Sequence, residues 1–586
     1  MSLDQVILIL ELLVCLLFCV FLYYFYIKEN TSILVAILTI SLWFFNFILI
    51  ALLPFDIYNA KEKSKLSVKE ITLNESSTSI ISIIYAISYW YIFVVSWVFL
   101  PVLKEYENRG EFTPKAKLWG SIRSNLLFYG IFGAIIVVVL IVVLILWMLN
   151  KVKSTFFGTL YHLCIDSSNL YGLLFIIFML GYSLPKLPLL LWGKFKIDKR
   201  IQYLEWKTGN VCQKLVDGKE ELKKNVQIVQ ATLDDVRYSN DEETDKNEAA
   251  NYTDELREII KEFNENKDLY EIDLDKVRND EKGLKKESEL ITLNYNIKKM
   301  KSTVALLNLQ LEKVFEEWQF LKSLLTYNIQ TNEQTDNISQ PLSQSNFQPI
   351  QISKKKRYYH LKIKPVLLII SMVLLLIFGG ILLVSEVTFF ISSTNCCLFG
   401  IILNYVNEFV FVHVFTIIPF LMLFYLAVFS LFRMKISVFI GLYGYKHSSP
   451  YSIMFVTAFI CTIGFALCTH YCQLMKLNIL DSKGNKVKTI IENEYGFEAS
   501  EIDVLQKIMQ FYPIILVLLI ILNYFNVFNK IMGCIGFAAW GVDSEENKEI
   551  ESDGRNYLNK MEKRLREKKK DERKNESYES EKQITI

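Results

Sequence analysis

Apolar and polar positions are segregated along this chain into long blocks rather than mixed at short period. Nine apolar stretches, at 6–27, 31–53, 79–101, 125–149, 167–191, 365–386, 410–432, 451–475 and 508–529, alternate with charged connections. About 20 helical residues cross a hydrocarbon core of roughly 30 Å. A lone span satisfies its backbone hydrogen bonds in lipid only as a helix. The pattern predicts an all-α fold, a polytopic helical membrane protein of about nine transmembrane helices.

A polar block from Lys194 to Lys364 separates five spans from four. It is fenced by Lys194, Lys196, Lys199 and Arg200 before it and by Lys354, Lys355, Lys356, Arg357, Lys362 and Lys364 after it. Bases close to a span stay in the cytoplasm, so the block is expected inside, with the N-terminus outside and the C-terminus cytoplasmic. The 102–124 and 433–450 connections, each carrying several bases, agree; Lys61, Lys63, Lys65 and Lys69, and Lys476, Lys483, Lys486 and Lys488, lie in outer loops and fit the rule less well. The expected organisation is a first bundle at 1–193, a cytoplasmic block at 194–364, a second bundle at 365–530 and a charged cytoplasmic tail at 531–586.

Within the polar block the period changes. Val211, Leu215, Leu222, Val226, Val229, Leu233 and Val236 follow helical spacing. Ile297, Met300, Val304, Leu307, Leu311, Val314, Trp318, Leu321 and Leu325 alternate steps of three and four, which is the seam of a coiled coil. Two arrangements satisfy this insertion: an antiparallel helical hairpin within one chain, or a homodimer through the second seam. Residues 253–270 offer a third helix, and the Gln/Asn/Ser-rich stretch 326–353 is expected to be disordered. The tail, basic at Lys563 to Lys574, reads either as a solvated helix or as a segment drawn to anionic lipid.

A formal net charge of +2 gives no basic field for nucleic acid. The first run lacks a basic start and a small-residue cleavage site, and reads as a retained span rather than a cleaved signal. Ten cysteines without paired spacing and five histidines at no ligand spacing predict neither a metal nor a cofactor. No nucleophile elbow, zinc-protease motif or phosphate-binding glycine loop occurs, so the chain is not expected to be an enzyme.

Polar residues inside spans are costly, and therefore candidates for function. Glu11, Asn46, Glu386, His413 and His470 all fall in the outer half of the membrane in this topology and form a candidate ligand-binding layer, with helix-to-helix bonding as the plainer reading. Pro185 and Pro188 are expected to kink the fifth span. Cys396 or Cys397 with Cys472 is a candidate outer-face disulfide, and Asn74 a candidate glycosylation site.

Short stretches in a fixed order carry a resemblance. They are Leu53-Pro54-Phe55-Asp56, Trp90-Tyr91 through Trp97 to Leu100-Pro101, and Leu180-Gly181-Tyr182-Ser183-Leu184 through Leu191-Trp192. Ser385-Glu386-Val387-Thr388-Phe389-Phe390, Leu431-Phe432-Arg433 and Tyr512-Pro513 follow. In these the chain resembles the limb-region/lipocalin-receptor (LMBR-like) membrane proteins, nearest to their type-two subgroup. The resemblance implies nine spans, a large loop between spans five and six, and a role as receptor or signalling adaptor rather than enzyme. Members are linked to lipocalin uptake, to lysosomal cobalamin export and, in the type-two subgroup, to G-protein-coupled receptor signalling. The implied location is the plasma or endolysosomal membrane, and the implied partners are membrane lipid and cytoplasmic or membrane proteins. Pro185-Lys186-Leu187-Pro188 departs from the single proline expected there. The competing reading is a transporter or lipid-handling protein built on the polar layer.

Overall fold

The structure is a computed structural model describing residues 3–27, 31–65, 71–149, 155–238, 251–265, 283–284, 286–336, 353–388, 397–433, 442, 446, 448–475, 477, 479, 487–496, 511–525, 527 and 545–584. Helices α1 (Leu3–Tyr26), α2 (Ile33–Lys65) and α3 (Ile71–Val94) are followed by a π-helical turn at Val95–Phe99 and α4 (Leu100–Asn108). Next come α5 (Pro114–Met148), α6 (Phe156–Phe195), α7 (Ile197–Tyr238), α8 (Thr253–Glu265) and α9 (Glu287–Asp336). After α10 (Lys354–Tyr358) and a second π-helical turn at Tyr359–Ile363 follow α11 (Lys364–Val387), α12 (Leu398–Tyr405), α13 (Phe409–Arg433) and α14 (Pro450–Met475). The order ends with α15 (Ile490–Tyr495), α16 (Tyr512–Tyr524) and α17 (Glu545–Ile584).

The all-α expectation holds. Among the described residues eight helices are long and apolar enough to cross a membrane, and the ninth apolar stretch is helical over Tyr512–Tyr524. Helix α2 runs through Pro54 to Lys65, past the predicted span end. Helix α6 is unbroken across Pro185 and Pro188.

The chain divides into two compact units. The first comprises residues 1–186, 286–299 and 375–524, and the second 187–285, 300–374 and 525–586. In the first unit α14 is the central post: 78% of its apolar window is buried, against 0% for α5. Small residues make that burial possible. A Cβ on Gly172 of α6 would stand 2.4 Å from the Thr462 carbonyl oxygen and 2.7 Å from the Ala466 Cβ, so only glycine lets α6 lie against α14. Helix α2 packs on α1, α3, α13 and α14. The start of α9 belongs to this unit, where Asn294 donates to the Gly110 carbonyl (2.7 Å) at the α4–α5 corner.

The second unit is built from α7, α8, most of α9 and α17. The expected seam is where α9 turns inward: Val304, Leu307, Leu311, Val314 and Trp318 are buried, as is Ile297 in the first unit, while Met300, Leu321 and Leu325 are half-buried. Val314, Phe315 and Trp318 form one core with Leu204 of α7 and Leu558 of α17. The charged tail is thus a docked helix rather than a solvated one. Two glycines bring it close: a Cβ on Gly554 would meet the Glu205 carbonyl oxygen at 1.8 Å, and one on Gly209 the Ile550 carbonyl oxygen at 2.1 Å. Helix α8 covers most of the predicted third helix. Helix α9 continues to Asp336, ten residues beyond Thr326, where composition predicts disorder; 337–352 lie outside the described residues.

Candidate functional site

The polar chemistry of the first unit gathers where α2 ends, α3 begins, α11 and α14 end and α13 and α16 begin. Its foundation is Leu53-Pro54-Phe55-Asp56. Because α2 does not stop at Pro54, Asp56 remains helical and buried. Its two carboxylate oxygens accept hydrogen bonds from the backbone N–H groups of Ile490 (2.8 Å) and Ile491 (3.0 Å), the first turn of α15. Thr489 completes that start as N-cap of a capping box with Glu492. Five residues further along α2, Lys61 donates to the carbonyls of Leu403 and Val406, where α12 ends. One helix thereby offers a carboxyl group to the N-terminus of one short helix and an amino group to the C-terminus of another, capping both. Further bonds secure α15: Ser82 of α3 donates to Glu494 (2.9 Å), and Asn169 of α6 to the Tyr495 carbonyl (2.8 Å). The rings of Tyr89, Phe465 and Tyr495 pack edge-on or tilted at 4.9–5.3 Å.

Beside this lies the pair Glu386 and His470. His470 Nε2–H donates to Glu386 Oε1 (2.8 Å), and both side chains are almost wholly buried. The ring of Tyr512, the first residue of α16, lies 4.5 Å from that of His470, tilted against it by 46°. Glu386 Oε2 and the Tyr512 hydroxyl are buried without hydrogen-bond partners among the described residues.

Of the five predicted layer residues, the structure brings only these two together. Asn46 faces α14 instead, donating to the Leu42 carbonyl (2.8 Å) and Cys461 Sγ (3.4 Å). His413 donates from Nδ1 to the Phe409 carbonyl one turn back (3.1 Å), its ring between Phe409 (4.0 Å) and Phe55 (4.5 Å). Glu11 is half-buried on α1. The first unit holds cavities of ≈ 10 Å³ beside Ser385 and Cys397 and ≈ 20 Å³ beside Asn169 and Cys461, each about the size of one water.

Of the candidate disulfide, the structure describes Cys397 and Cys472, and both are free thiols. Cys472 is a buried thiol within α14, and Cys397 directs its Sγ to Met475 Sδ (3.8 Å). Cys396 lies outside the described residues, as does the side chain of Asn74 in the first turn of α3.

Sequence reasoning missed Asp56, Lys61 and Tyr512. Ending span two before Pro54 moved Asp56 and Lys61 into a loop, where acids and bases are ordinary. It also missed the polar knot of the second unit. Glu205 accepts from Trp318 Nε1 (3.2 Å) with one oxygen and from Arg555 Nε (2.8 Å) with the other, joining α7, α9 and α17. Nearby, burial pulls the Lys322 ammonium below the usual lysine range, opposed by Glu562 and Glu205.

The profile of a family described as LMBR1-like membrane protein matches residues 4–528. The human protein named G-protein coupled receptor-associated protein LMBRD2 is 23% identical over 92% of this chain and 80% of its own length. Its namesake in Gallus gallus is 21% identical over 90% and 79%, and that of Caenorhabditis briggsae 22% over 91% and 83%. No solved structure matches.

Proposed function

Because the chain belongs to the LMBR1-like membrane protein family, we propose that it is a multispanning adaptor that associates with a receptor in the same membrane and recruits cytoplasmic proteins through α7, α8, α9 and α17. The relatives' name, receptor-associated protein, supports the first half. The observation that carries the reading is how the first unit uses its polar side chains. Asn46, Asp56, Lys61 and the Glu386–His470 pair each bond one helix to another. Carriers instead line a chamber at the repeat interface with broken helices and open polar groups. In this reading the protein is not an enzyme, its N-terminus is outside, its second unit is cytoplasmic, and it resides in the plasma or endolysosomal membrane.

The test is co-purification of the tagged full chain with co-expressed G-protein-coupled receptors, compared with a chain lacking 201–350. The expected result is receptor capture by both chains, with cytoplasmic partners lost only from the deletion. Cytoplasmic capture untouched by the deletion overturns the adaptor half, and no capture of any receptor overturns the other. Under the transport reading Glu11→Gln or Glu386→Gln abolishes flux; the adaptor reading expects both variants to recruit as the parent does.

A further inference from the structure

Three basic segments far apart in the sequence meet at one turn of α9 within the second unit. Glu317 accepts from Arg200 Nε and a terminal nitrogen (2.8 Å each). The ring of Phe320 packs 4.6 Å from His360 and lies 5.3 Å from Lys356 Nζ. Leu321 packs in the same core as Met561 of α17, and Lys322 reaches Glu562 (3.9 Å) and Asn559 (3.4 Å). The turn Glu317–Lys322 therefore holds 194–200, 354–364 and 559–568 around itself.

The charge assembled there is strongly one-signed. The segment 354–364 carries six bases and no acid, 194–200 four bases and one acid, and 559–568 five bases and two acids. Core formation uses little of it: Lys196, Lys199, Lys354, Lys355, Lys356, Lys362, Lys563, Arg564 and Lys568 are all exposed. Two of the segments adjoin membrane-spanning helices in the chain, 194–200 from the last residues of α6 into α7 and 354–364 directly before the apolar part of α11. Aromatic residues are interleaved, with Trp192 and Tyr359 exposed beside them, as is usual at headgroup depth.

We infer that this assembly is a basic collar that binds the anionic headgroups of the adjoining leaflet, a polyphosphorylated phosphoinositide best of all. Bases that only set topology need no common location. Here a tail segment more than 170 residues beyond α11 is docked, by Gly209, Gly554 and the Leu558 core, on α7 and on the same stretch of α9 that holds the bases flanking the spans. Clustered bases attract multivalent anions, and the attraction weakens with salt.

The experiment uses the purified full chain in neutral detergent and native mass spectrometry with added dioctanoyl phosphatidylinositol 4,5-bisphosphate. The expected result is a phosphoinositide adduct at concentrations where dioctanoyl phosphatidylcholine gives none, reduced by raising the salt. Neutralising the tail bases (K563Q/R564Q/K568Q) weakens binding at least about tenfold, as does K354Q/K355Q/K356Q, whereas K214Q in the middle of α7 leaves it unchanged. Tail-variant binding equal to the parent, with its helical circular dichroism intact, overturns the collar. Equal binding of phosphatidylcholine overturns the anionic preference. Displacement by equimolar inositol trisphosphate assigns a soluble anion and overturns the lipid.

Discussion

Asp56 shows how much one side chain can organise. Its side chain accepts from two backbone N–H groups at a helix start, those of Ile490 and the buried Ile491. An orphaned buried donor costs about 1–3 kcal/mol, so Asp56→Ala, which orphans two, should destabilise the first unit by ~2–6 kcal/mol. Asp56→Asn keeps one acceptor and should recover roughly half. Thermal unfolding in detergent, followed by size-exclusion chromatography, reads both. Glu386 and His470 are coupled in the same sense: His470→Ala leaves a buried carboxyl without its partner, and losing one partner of a buried pair costs about 3–5 kcal/mol. The double variant Glu386→Leu/His470→Ala should be less destabilised than the sum of the single variants, and a double-mutant cycle measures that coupling. Cys212 of α7 supplies a pH readout. Burial pushes its thiol up to about 12, with Lys219 opposing. A raised thiol pKa favours the neutral form, so the thiolate is scarce until the pH nears that value. Iodoacetamide at pH 8 should leave Cys212 unlabelled in the folded chain and label it fully in denaturant, as peptide mass spectrometry detects.

At the scale of elements, the glycine crossing of α7 and α17 is the most exposed to test. Backbone lies where a side chain at 554 would begin, so Gly554→Leu has no flexible neighbour to displace. Overpacking costs typically 1–3 kcal/mol, enough to undock a surface helix. Limited proteolysis should then cut within 545–584 while α7 stays protected; an unchanged digestion pattern counts against the close crossing. Helix identity was largely legible beforehand. The apolar runs are long, and lipid permits no other backbone for them. The helical period of α9 was legible as well: three-four spacing puts Val304, Leu307, Leu311, Val314 and Trp318 on one face, and that face is buried. Its cover was not, since α7, α17 and a second copy all offer apolar surfaces of the same kind.

For the whole molecule, the proposed orientation has a direct consequence. An epitope at the N-terminus should be stained in intact cells, and one at the C-terminus only after permeabilisation; the reverse pattern would place the second unit on the other side. The hydropathy pattern alone determined that the chain is a helical membrane protein, that a polar block interrupts its spans, and that polar residues such as Asn46, Glu386 and His470 lie within them, because hydrocarbon tolerates little else and leaves a strong signal in every span. Tertiary structure decided what those residues do. Glu386 meets His470 across 84 positions, Asp56 meets Ile490 across 434, and Asn46 turns to Cys461 across 415. Such pairings depend on which helices become neighbours and on their rotation about their own axes. That is settled by small residues such as Gly172 and Gly554, which admit close approach, and a local pattern of hydropathy carries no record of it.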